Sequence, residues 1–252
     1  MQPNWLRQIT QIPTIQQAGL LGCERITGGI SNLNFKVTTH QGIWVVRLNQ
    51  AQLGVNRKLE QDILNLIAPL KLSPEVIDAN PAAGYLITAY CDLATWRQSN
   101  TTDVGAFTKL ADSLNALHQI PCHHSASRLD QRITHYLKQI NHIPDDLAAE
   151  TMHQIDQLEQ LGFWSACQSL YHSDLNPNNL LGNDQAVIID WEFAGQGHAL
   201  LDWLIMEQEH QQDLSQFYPT DIRESWLPPS KALIANLMKL WDFNLQQTNK
   251  NR

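Results

Sequence analysis

Cysteine is scarce in this sequence, and the four residues present are far apart. Cys23, Cys91, Cys122 and Cys167 form no C-x-x-C pair within the 252 residues. A structural zinc site or a dense disulfide framework requires closely spaced cysteines, so neither is expected here. The spacing instead predicts buried thiols in a reducing compartment.

Basic residues are also few. Lysine and arginine number 17 against 25 aspartate and glutamate residues, which gives a formal net charge of −8. Binding to a phosphate backbone requires a surplus of positive charge, so we expect no nucleic-acid partner. The acidic balance would attract a cationic substrate, but the ordinary surface of an acidic protein is the simpler explanation, and the charge alone decides little.

Long apolar runs are absent as well. The segment MQPNWLRQITQIP has neither the basic start nor the apolar stretch of a signal peptide, and no stretch elsewhere is long enough to span a bilayer. We therefore expect a cytoplasmic protein without a membrane partner, present as a monomer or a homodimer.

The first third of the chain has the pattern of a small antiparallel sheet. Two β-rich runs, FKVTTH and GIWVVRLN, flank the turn residues Gln41-Gly42 and predict a hairpin. Residues 56–70 carry apolar side chains at helical spacing, and further strands are expected at 75–77 and 84–90. With a short helix within residues 1–20, this predicts a β-β-α-β-β unit.

The remainder of the chain is predicted to be mainly helical. After Asp103, apolar residues recur every three or four positions until Pro121, and the same pattern continues in residues 133–140 and 147–161. The fold class is therefore α+β, with a small sheet followed by helices. We place an N-terminal lobe at 1–90 and a C-terminal lobe at 91–252, with a hinge at Ala89–Trp96 and a ligand cleft expected between them.

Chemistry is concentrated in two neighbouring segments. HSDLNPNN contains His172, Asp174 and Asn179 in the pattern H-x-D-x-x-x-x-N, and the apolar run AVII then ends at Asp190. Phosphoryl transfer requires a carboxylate near the attacking hydroxyl and oxygen ligands that hold Mg²⁺ against the phosphates. We predict Asp174 as the catalytic base, Asn179 and Asp190 as Mg²⁺ ligands, and His172 as a brace for the loop. The competing interpretation is a polar turn without catalytic function.

The two segments together resemble a known family. HSDLNPNN followed by IDWEFAG is similar to the catalytic loop and metal-binding segment of the aminoglycoside phosphotransferase and choline kinase superfamily, which includes bacterial thiamine kinases. The resemblance extends from about Ile26 to Trp203. It implies a protein-kinase-like two-lobed fold, ATP and Mg²⁺ as cofactors, and a small-molecule acceptor whose hydroxyl is phosphorylated. Asp202 matches a family aspartate that supports the catalytic loop.

The same resemblance points to nucleotide contacts in the N-terminal lobe. The run ITGGISNLNFKV is similar to the family's nucleotide-covering turn, in which glycine lets backbone amides approach phosphate. The residues implied are Gly28, Gly29, Ser31, Asn32 and Asn34. A plain hairpin turn would explain the two glycines equally well.

Three further nucleotide contacts are predicted. Arg47 occupies the strand position at which protein kinases carry a lysine, and Glu60 is its expected helix partner. Tyr90, in the hinge, completes the set. The alternative for Arg47 is an exposed charge on an edge strand.

The acceptor is predicted to be a small cation, choline or ethanolamine. Trp191 and Glu192 are its candidate contacts, because an aromatic face and a carboxylate both favour a cationic group. Alternation along an extended segment would point Asp190 and Glu192 to one side. Core packing remains the alternative for the tryptophan. A thiamine kinase, an aminoglycoside or amino-sugar phosphotransferase, and an inactive kinase-like binding protein are the competing functions.

Overall fold

The computed structural model describes residues 3–26, 32–183 and 186–250, with the side chains of 126 and 246–250 left out of the description. The chain divides into two compact units, Met1–Leu93 and Ala94–Arg252. Of the helices described, none combines the length and the apolar character that a bilayer span needs.

The first unit is built on a five-stranded antiparallel sheet with strand order β1-β2-β3-β5-β4. Its strands are β1 (Leu20–Ile26), β2 (Leu33–Thr39), β3 (Gly42–Leu48), β4 (Val76–Asn80) and β5 (Tyr85–Ala89). Its helices are α1 (Asn4–Thr10), α2 (Pro13–Ala18) and α3 (Arg57–Ile67), and a 3₁₀ turn (Ala68–Leu70) follows α3. The predicted hairpin, the helix and the last two strands are confirmed, whereas β1 is an additional strand.

Alternation along the strands separates an apolar face from a polar one. Phe35 on β2 lies opposite Val46 on β3, and both side chains are fully buried in a core that includes Ile9 and Ile15 of the two leading helices. The intervening residues Asn34 and Arg47 are also opposite each other, so their side chains share the other face. The leading helices therefore cover one face of the sheet, and the other face carries Asn34 and Arg47.

The second unit is mainly helical. Its helices are α4 (Trp96–Ser99), α5 (Val104–His118), α6 (Leu129–Gln139), α7 (Asp145–Gln160), α8 (Phe163–Ala166), α9 (Ala199–His210) and α10 (Leu227–Lys250). Short 3₁₀ turns lie at Ser125–Ser127, Trp191–Phe193, Ser215–Phe217 and Glu224–Trp226. The helices predicted after Asp103 are confirmed.

Two small antiparallel ribbons hold the polar motifs. β6 (Ser169–Tyr171) pairs with β9 (Gly195–Gly197), and β7 (Leu180–Leu181) pairs with β8 (Val187–Ile188). The segment HSDLNPNN therefore runs from the end of β6 to the start of β7, and Asp190 follows β8. The ribbons bring these segments, separate in sequence, to one place.

Candidate active site

The loop after β6 is anchored by a buried carboxylate on α9. Asp202, which is fully buried, accepts the backbone N–H of His172 at 3.0 Å and that of Ser173 at 2.8 Å. Ser173 has a φ of 71°, in the left-handed region that non-glycine residues seldom adopt. Two hydrogen bonds to one carboxylate hold the backbone in this turn, which agrees with the structural role predicted for Asp202.

His118 completes this anchor and was not predicted. Its Nε2 lies 2.9 Å from the Oδ2 atom of Asp202, and its side chain is nearly buried. His118 ends α5 on the same apolar stripe as Leu110 and Leu114, since these residues are spaced by four positions. A histidine on the buried face of a helix was the signal that could have indicated a buried acidic partner.

His172 braces the loop through both ring nitrogens. Its Nδ1 accepts the backbone N–H of Asp174 at 3.2 Å, so Nε2 carries the proton and donates it to the carbonyl of Ile189 at 3.1 Å. The ring also packs edge-on against Trp191, with centroids 4.6 Å apart. These contacts fit the bracing role predicted for His172 and tie the loop to the strand before Asp190.

Asp174 is held by two asparagine side chains of its own loop. Asn176 Nδ2 donates to Oδ1 at 3.0 Å, and Asn179 Nδ2 donates to Oδ2 at 2.8 Å and to the backbone carbonyl of Asp174 at 2.9 Å. The amide nitrogen of Asn179 is thus committed to Asp174, and its Oδ1 is the end that can ligate a cation. The spacing H-x-D-x-x-x-x-N therefore brings Asp174 and Asn179 into direct contact.

The environment of Asp174 favours its protonated form. Burial raises the pKa of Asp174 to about 7, and the charge of Glu192 adds to this effect. The hydrogen bond from Asn176 and the positive charge of Arg132 act in the opposite direction. A carboxyl group with a pKa near neutrality is suited to exchange a proton at ordinary pH.

Asp190 is placed beside the loop by the backbone of its neighbour. Ile189 N–H donates to the carbonyl of Asn179 at 3.0 Å, and the carbonyl of Ile189 accepts from His172. Asp190 itself has a φ of 63°, which turns the chain sharply into the 3₁₀ turn Trp191–Phe193. The extended alternation expected from Asp190 to Glu192 is therefore wrong, because the segment turns at its first residue.

Trp191 and Glu192 are both interior residues. Trp191 is 2% exposed, and its indole N–H donates to the carbonyl of Ile188 at 2.9 Å. Its ring packs edge-on against His172 and so contacts the loop directly. Glu192 is 5% exposed, and its charge acts on both Asp174 and Tyr136.

An aromatic cluster adjoins Glu192. Phe193 contacts Trp241 edge-on, with centroids 5.5 Å apart, and Trp241 lies 6.4 Å from Tyr136. Trp241 on α10 is half-buried, whereas Tyr136 and Phe193 are buried. Of these three rings, Trp241 presents the most surface.

Arg132 on α6 adds a positive charge to this cluster. Its guanidinium carbon lies 4.8 Å from the centroid of Phe193, and the residue is 7% exposed. Nε and Nη1 have no hydrogen-bond partner among the residues that the structure describes. The sequence pattern gave no indication of Arg132, which is separated from the motifs in the chain.

The predicted pair of Arg47 and Glu60 is formed in the first unit. Nη1 and Nη2 of Arg47 donate to the two carboxylate oxygens of Glu60 at 2.8 and 2.6 Å, and its Nε donates to Asn49 at 3.0 Å. The pair is buried, so the alternative of an exposed edge charge is wrong for Arg47. The side chain of Asn34, which lies opposite Arg47 on β2, is on the same face of the sheet as Arg47.

Two of the other predicted nucleotide contacts, Asn32 and Tyr90, interact with basic side chains of the first unit. Asn32 Oδ1 accepts from Arg57 at 2.8 Å, which links it to Glu60. The Nζ atom of Lys36 lies over the ring of Tyr90, 4.2 Å from the centroid of the ring. Gly28, Gly29 and Ser31 lie outside the described residues.

The polar groups of the second unit do not form a protein-only metal cage. Among the described residues, no group of three or more histidine, cysteine, aspartate or glutamate side chains is arranged to hold a metal ion. Mg²⁺ commonly takes only one or two carboxylates and completes its shell with phosphate oxygens and water. Asn179 and Asp190 fit this partial ligand set.

Solved structures share this fold. A choline kinase from Streptococcus pneumoniae is 18% identical and aligns over 97% of this chain and 92% of its own, with a TM-score of 0.75. A choline/ethanolamine kinase family protein from Mesorhizobium loti is 19% identical over 97% and 86%, with a TM-score of 0.64. A thermostable aminoglycoside phosphotransferase mutant, in a ternary complex with AMP-PNP and hygromycin B, is 16% identical over 94% and 90%, with a TM-score of 0.65.

These similarities confirm the α+β, protein-kinase-like fold. No curated protein sequence matches the chain. The model of the phosphotransferase enzyme family, however, matches residues 22–227. This range includes the Arg47–Glu60 pair, the loop that carries Asp174 and Asn179, and Asp190, but not Trp241. The resemblance inferred from HSDLNPNN and IDWEFAG is thereby confirmed. The chain belongs to the phosphotransferase enzyme family and is a kinase-like phosphotransferase that acts on a hydroxyl acceptor.

Proposed function

We propose that the protein transfers the γ-phosphate of ATP to the hydroxyl of a small cationic metabolite, with choline or ethanolamine as the acceptor. The single observation that carries this proposal is the Asp174–Asn179 contact beside the buried carboxylate of Glu192 and its aromatic neighbours. This arrangement combines a base that can accept a hydroxyl proton, Asp174, with a carboxylate and aromatic side chains that favour a cation.

Asp174 is the proposed base. The hydrogen bonds from Asn176 and Asn179 orient its carboxylate, and the anchor at Asp202 holds the backbone that carries it. Positioning of this kind accounts for most of the catalysis in phosphoryl transfer, because the protein takes little part in bond making. His172, with its proton directed at Ile189, positions the loop and does not act as a base.

Asn179 and Asp190 are the proposed ligands of Mg²⁺. Asn179 would contribute a neutral oxygen and Asp190 a charged carboxylate, and the metal when bound would neutralise charge on the phosphates. Arg47, Glu60, Asn32, Asn34 and Tyr90, with Gly28, Gly29 and Ser31, are proposed to hold the nucleotide. AMP-PNP bound to the aminoglycoside phosphotransferase and AMP bound to the streptococcal choline kinase support a nucleotide cofactor.

The charges near Glu192 favour one cationic group on the acceptor. Glu192 adds a negative charge to this region, and Trp241 offers an aromatic surface against the adjacent Phe193. Arg132, which packs over Phe193, adds a positive charge to the same cluster. The several ammonium groups of an aminoglycoside would each meet this positive charge, whereas a compact cation has a single charge to accommodate. Thiamine, with one cationic ring, is the second candidate.

A screen for acceptor-dependent ADP release tests the proposal. The rate is measured for the wild type and for Asp174→Asn with each of choline, ethanolamine, thiamine, amino sugars and aminoglycosides. Asp174→Asn should lose on the order of 10²-fold or more in rate, because the positioned base is absent. Higher kcat/KM for a neutral sugar or an aminoglycoside than for every small cationic alcohol would overturn the acceptor assignment. Absence of ADP release with every acceptor would favour the inactive, kinase-like binding protein.

A further inference from the structure

Arg132 is a buried arginine with hydrogen-bond donors that the protein does not use. The residue lies on α6 and is 7% exposed, yet its Nε and Nη1 atoms have no hydrogen-bond partner within the part of the chain that the structure describes. Arg128, just before α6, donates instead through Nε and Nη2 to the two carboxylate oxygens of Asp130. A guanidinium keeps its charge, and a buried donor without an acceptor is costly, so Arg132 has the properties of a residue that binds a ligand.

The side chain of Arg132 is supported by the segment that follows Asp190. Its guanidinium carbon lies over the ring of Phe193, 4.8 Å from the centroid, and Phe193 ends the 3₁₀ turn that begins directly after Asp190. The face of an aromatic ring attracts the positive charge of a guanidinium but provides no carbonyl or carboxylate oxygen for its N–H groups. Phe193 therefore holds the arginine in place and leaves these donors for another group.

Arg132 lies in the electrostatic surroundings of the proposed base. Its positive charge acts on the carboxyl group of Asp174 and on the phenol of Tyr171, the last residue of β6 before the loop. The same charge acts on Tyr136, one helical turn further along α6. A ligand atom that approaches Asp174 therefore also enters the field of the Arg132 guanidinium.

We propose that Arg132 is a further catalytic residue, which donates hydrogen bonds to the phosphoryl group during its transfer to the acceptor hydroxyl. This inference rests on the proposed function. The hydroxyl oxygen forms a bond to the γ-phosphorus, the bond from that phosphorus to the bridging oxygen breaks and leaves its electron pair on ADP, and the hydroxyl proton passes to Asp174. A cationic acceptor brings no anion to Asp174, so the phosphoryl group is the reactant whose oxygens suit a guanidinium.

Two other roles for Arg132 predict different kinetics. If Arg132 binds the acceptor, its loss raises the acceptor KM and leaves the slow transfer of phosphate from ATP to water unchanged. If it only packs against Phe193, its loss lowers the melting temperature and leaves kcat of the folded protein unchanged. If it contacts the phosphoryl group, kcat falls for the acceptor and for water alike, and the acceptor KM changes little.

The test measures ADP release at saturating ATP and Mg²⁺, with choline as the acceptor and with water alone. Arg132→Gln is compared with Lys138→Gln, which removes the same charge from an exposed position of α6. We expect Arg132→Gln to lower kcat on the order of 10²-fold in both reactions, the loss typical of one donor to a developing oxyanion, with the choline KM near that of the wild type. Lys138→Gln should match the wild type. Arg132→Lys should retain part of the rate, because it keeps the charge without the planar fork of donors.

The outcomes separate this inference from the proposed function. Equal kcat values for Arg132→Gln and Lys138→Gln, or a loss confined to the choline KM, would overturn the role of Arg132 and leave the function in place. If a different acceptor turns over in place of choline, it takes the place of choline in the same comparison, and only the acceptor assignment fails. No ADP release by the wild type with any acceptor or with water would overturn both proposals.

Two further measurements keep the test decisive. If wild-type transfer to water is too slow to measure, the split between kcat and KM for the acceptor decides. If thermal melting shows that Arg132→Gln does not fold, Arg132→Lys decides, and a wild-type kcat in that variant would overturn the role of Arg132.

Discussion

Nε2 of His118 and Oδ2 of Asp202 lie 2.9 Å apart in the interior of the helical unit. The same carboxylate accepts the backbone N–H groups of His172 and Ser173, so three donors from two distant segments converge on one side chain. The position of the loop that carries Asp174 thus depends on residues that contribute no chemistry themselves.

Replacing Asp202 by alanine should destabilise the protein severely. Two buried backbone N–H groups and the imidazole of His118 would lose their acceptor, and we expect a loss of roughly 2–6 kcal/mol in unfolding free energy, at about 1–3 kcal/mol for each backbone group. Denaturant unfolding measures this. The matched control is Asp221→Ala, since Asp221 is exposed and lies 3.7 Å from His198. Similar unfolding midpoints for the two variants would contradict the anchor.

Asp190→Ala should raise the Mg²⁺ requirement more than Asn179→Ala. Asp190 would supply the charge that offsets the cation, and its loss should raise the Mg²⁺ concentration for half-maximal rate by roughly tenfold, or about 1.4 kcal/mol. The rate is measured during Mg²⁺ titration at fixed ATP, with Asn178→Ala, an exposed residue of the same loop, as the control. Identical titration curves for Asp190→Ala and the control would remove Asp190 from the metal site.

Trp241→Leu should raise the acceptor KM without changing the KM for ATP. A cation over an aromatic face gains about 0.5–2 kcal/mol, which corresponds to a roughly 2- to 30-fold increase in KM. Trp5→Leu is the matched control, because this half-buried tryptophan stacks on Phe35 in the first unit. Trp191 was the earlier candidate from sequence, but its burial predicts that substitution lowers stability instead. An unchanged acceptor KM in Trp241→Leu would exclude this ring from the acceptor site.

Stability should fall when the pH drops below about 6.5, partly because of His210. Burial between Trp96 and Phe107, together with the charge of Arg97, lowers the pKa of His210 to about 4. Between these two pH values the unfolded chain binds the proton and the folded chain does not, so protonation favours unfolding. As the pH decreases from 7 toward 4, the melting temperature of His210→Phe should rise relative to that of the wild type. Parallel curves would show that His210 is not responsible.

The contact between Asp174 and Asn179 was predictable because it is local in the sequence. Five positions separate Asp174 from Asn179, and a short turn is sufficient to join their side chains. The sheet was predictable where alternation is strong, as in β2 and β3. Strand β1 was missed because it lies at the edge of the sheet and is mostly exposed, which removes the alternation that identifies a strand.

The long-range contacts were not predictable. His118, Arg132 and Trp241 reach their partners only through the packing of α5, α6 and α10. A single sequence shows which residues share a face of one helix, but not which face of another helix it meets. The bend at Asp190 was also missed, because an aspartate in the sequence does not indicate a left-handed backbone conformation as a glycine would.

The left-handed backbone at Asp190 has an evolutionary consequence. Glycine would adopt this conformation at lower cost, and asparagine tolerates it well. If Asp190 ligates Mg²⁺ as proposed, selection for its carboxylate opposes both replacements. A lineage released from that selection would drift toward the easier residues and gain stability as it lost the acid. On the proposed role of Asp190, the residue at this position in a relative would record whether its lineage has kept the need for a charged ligand.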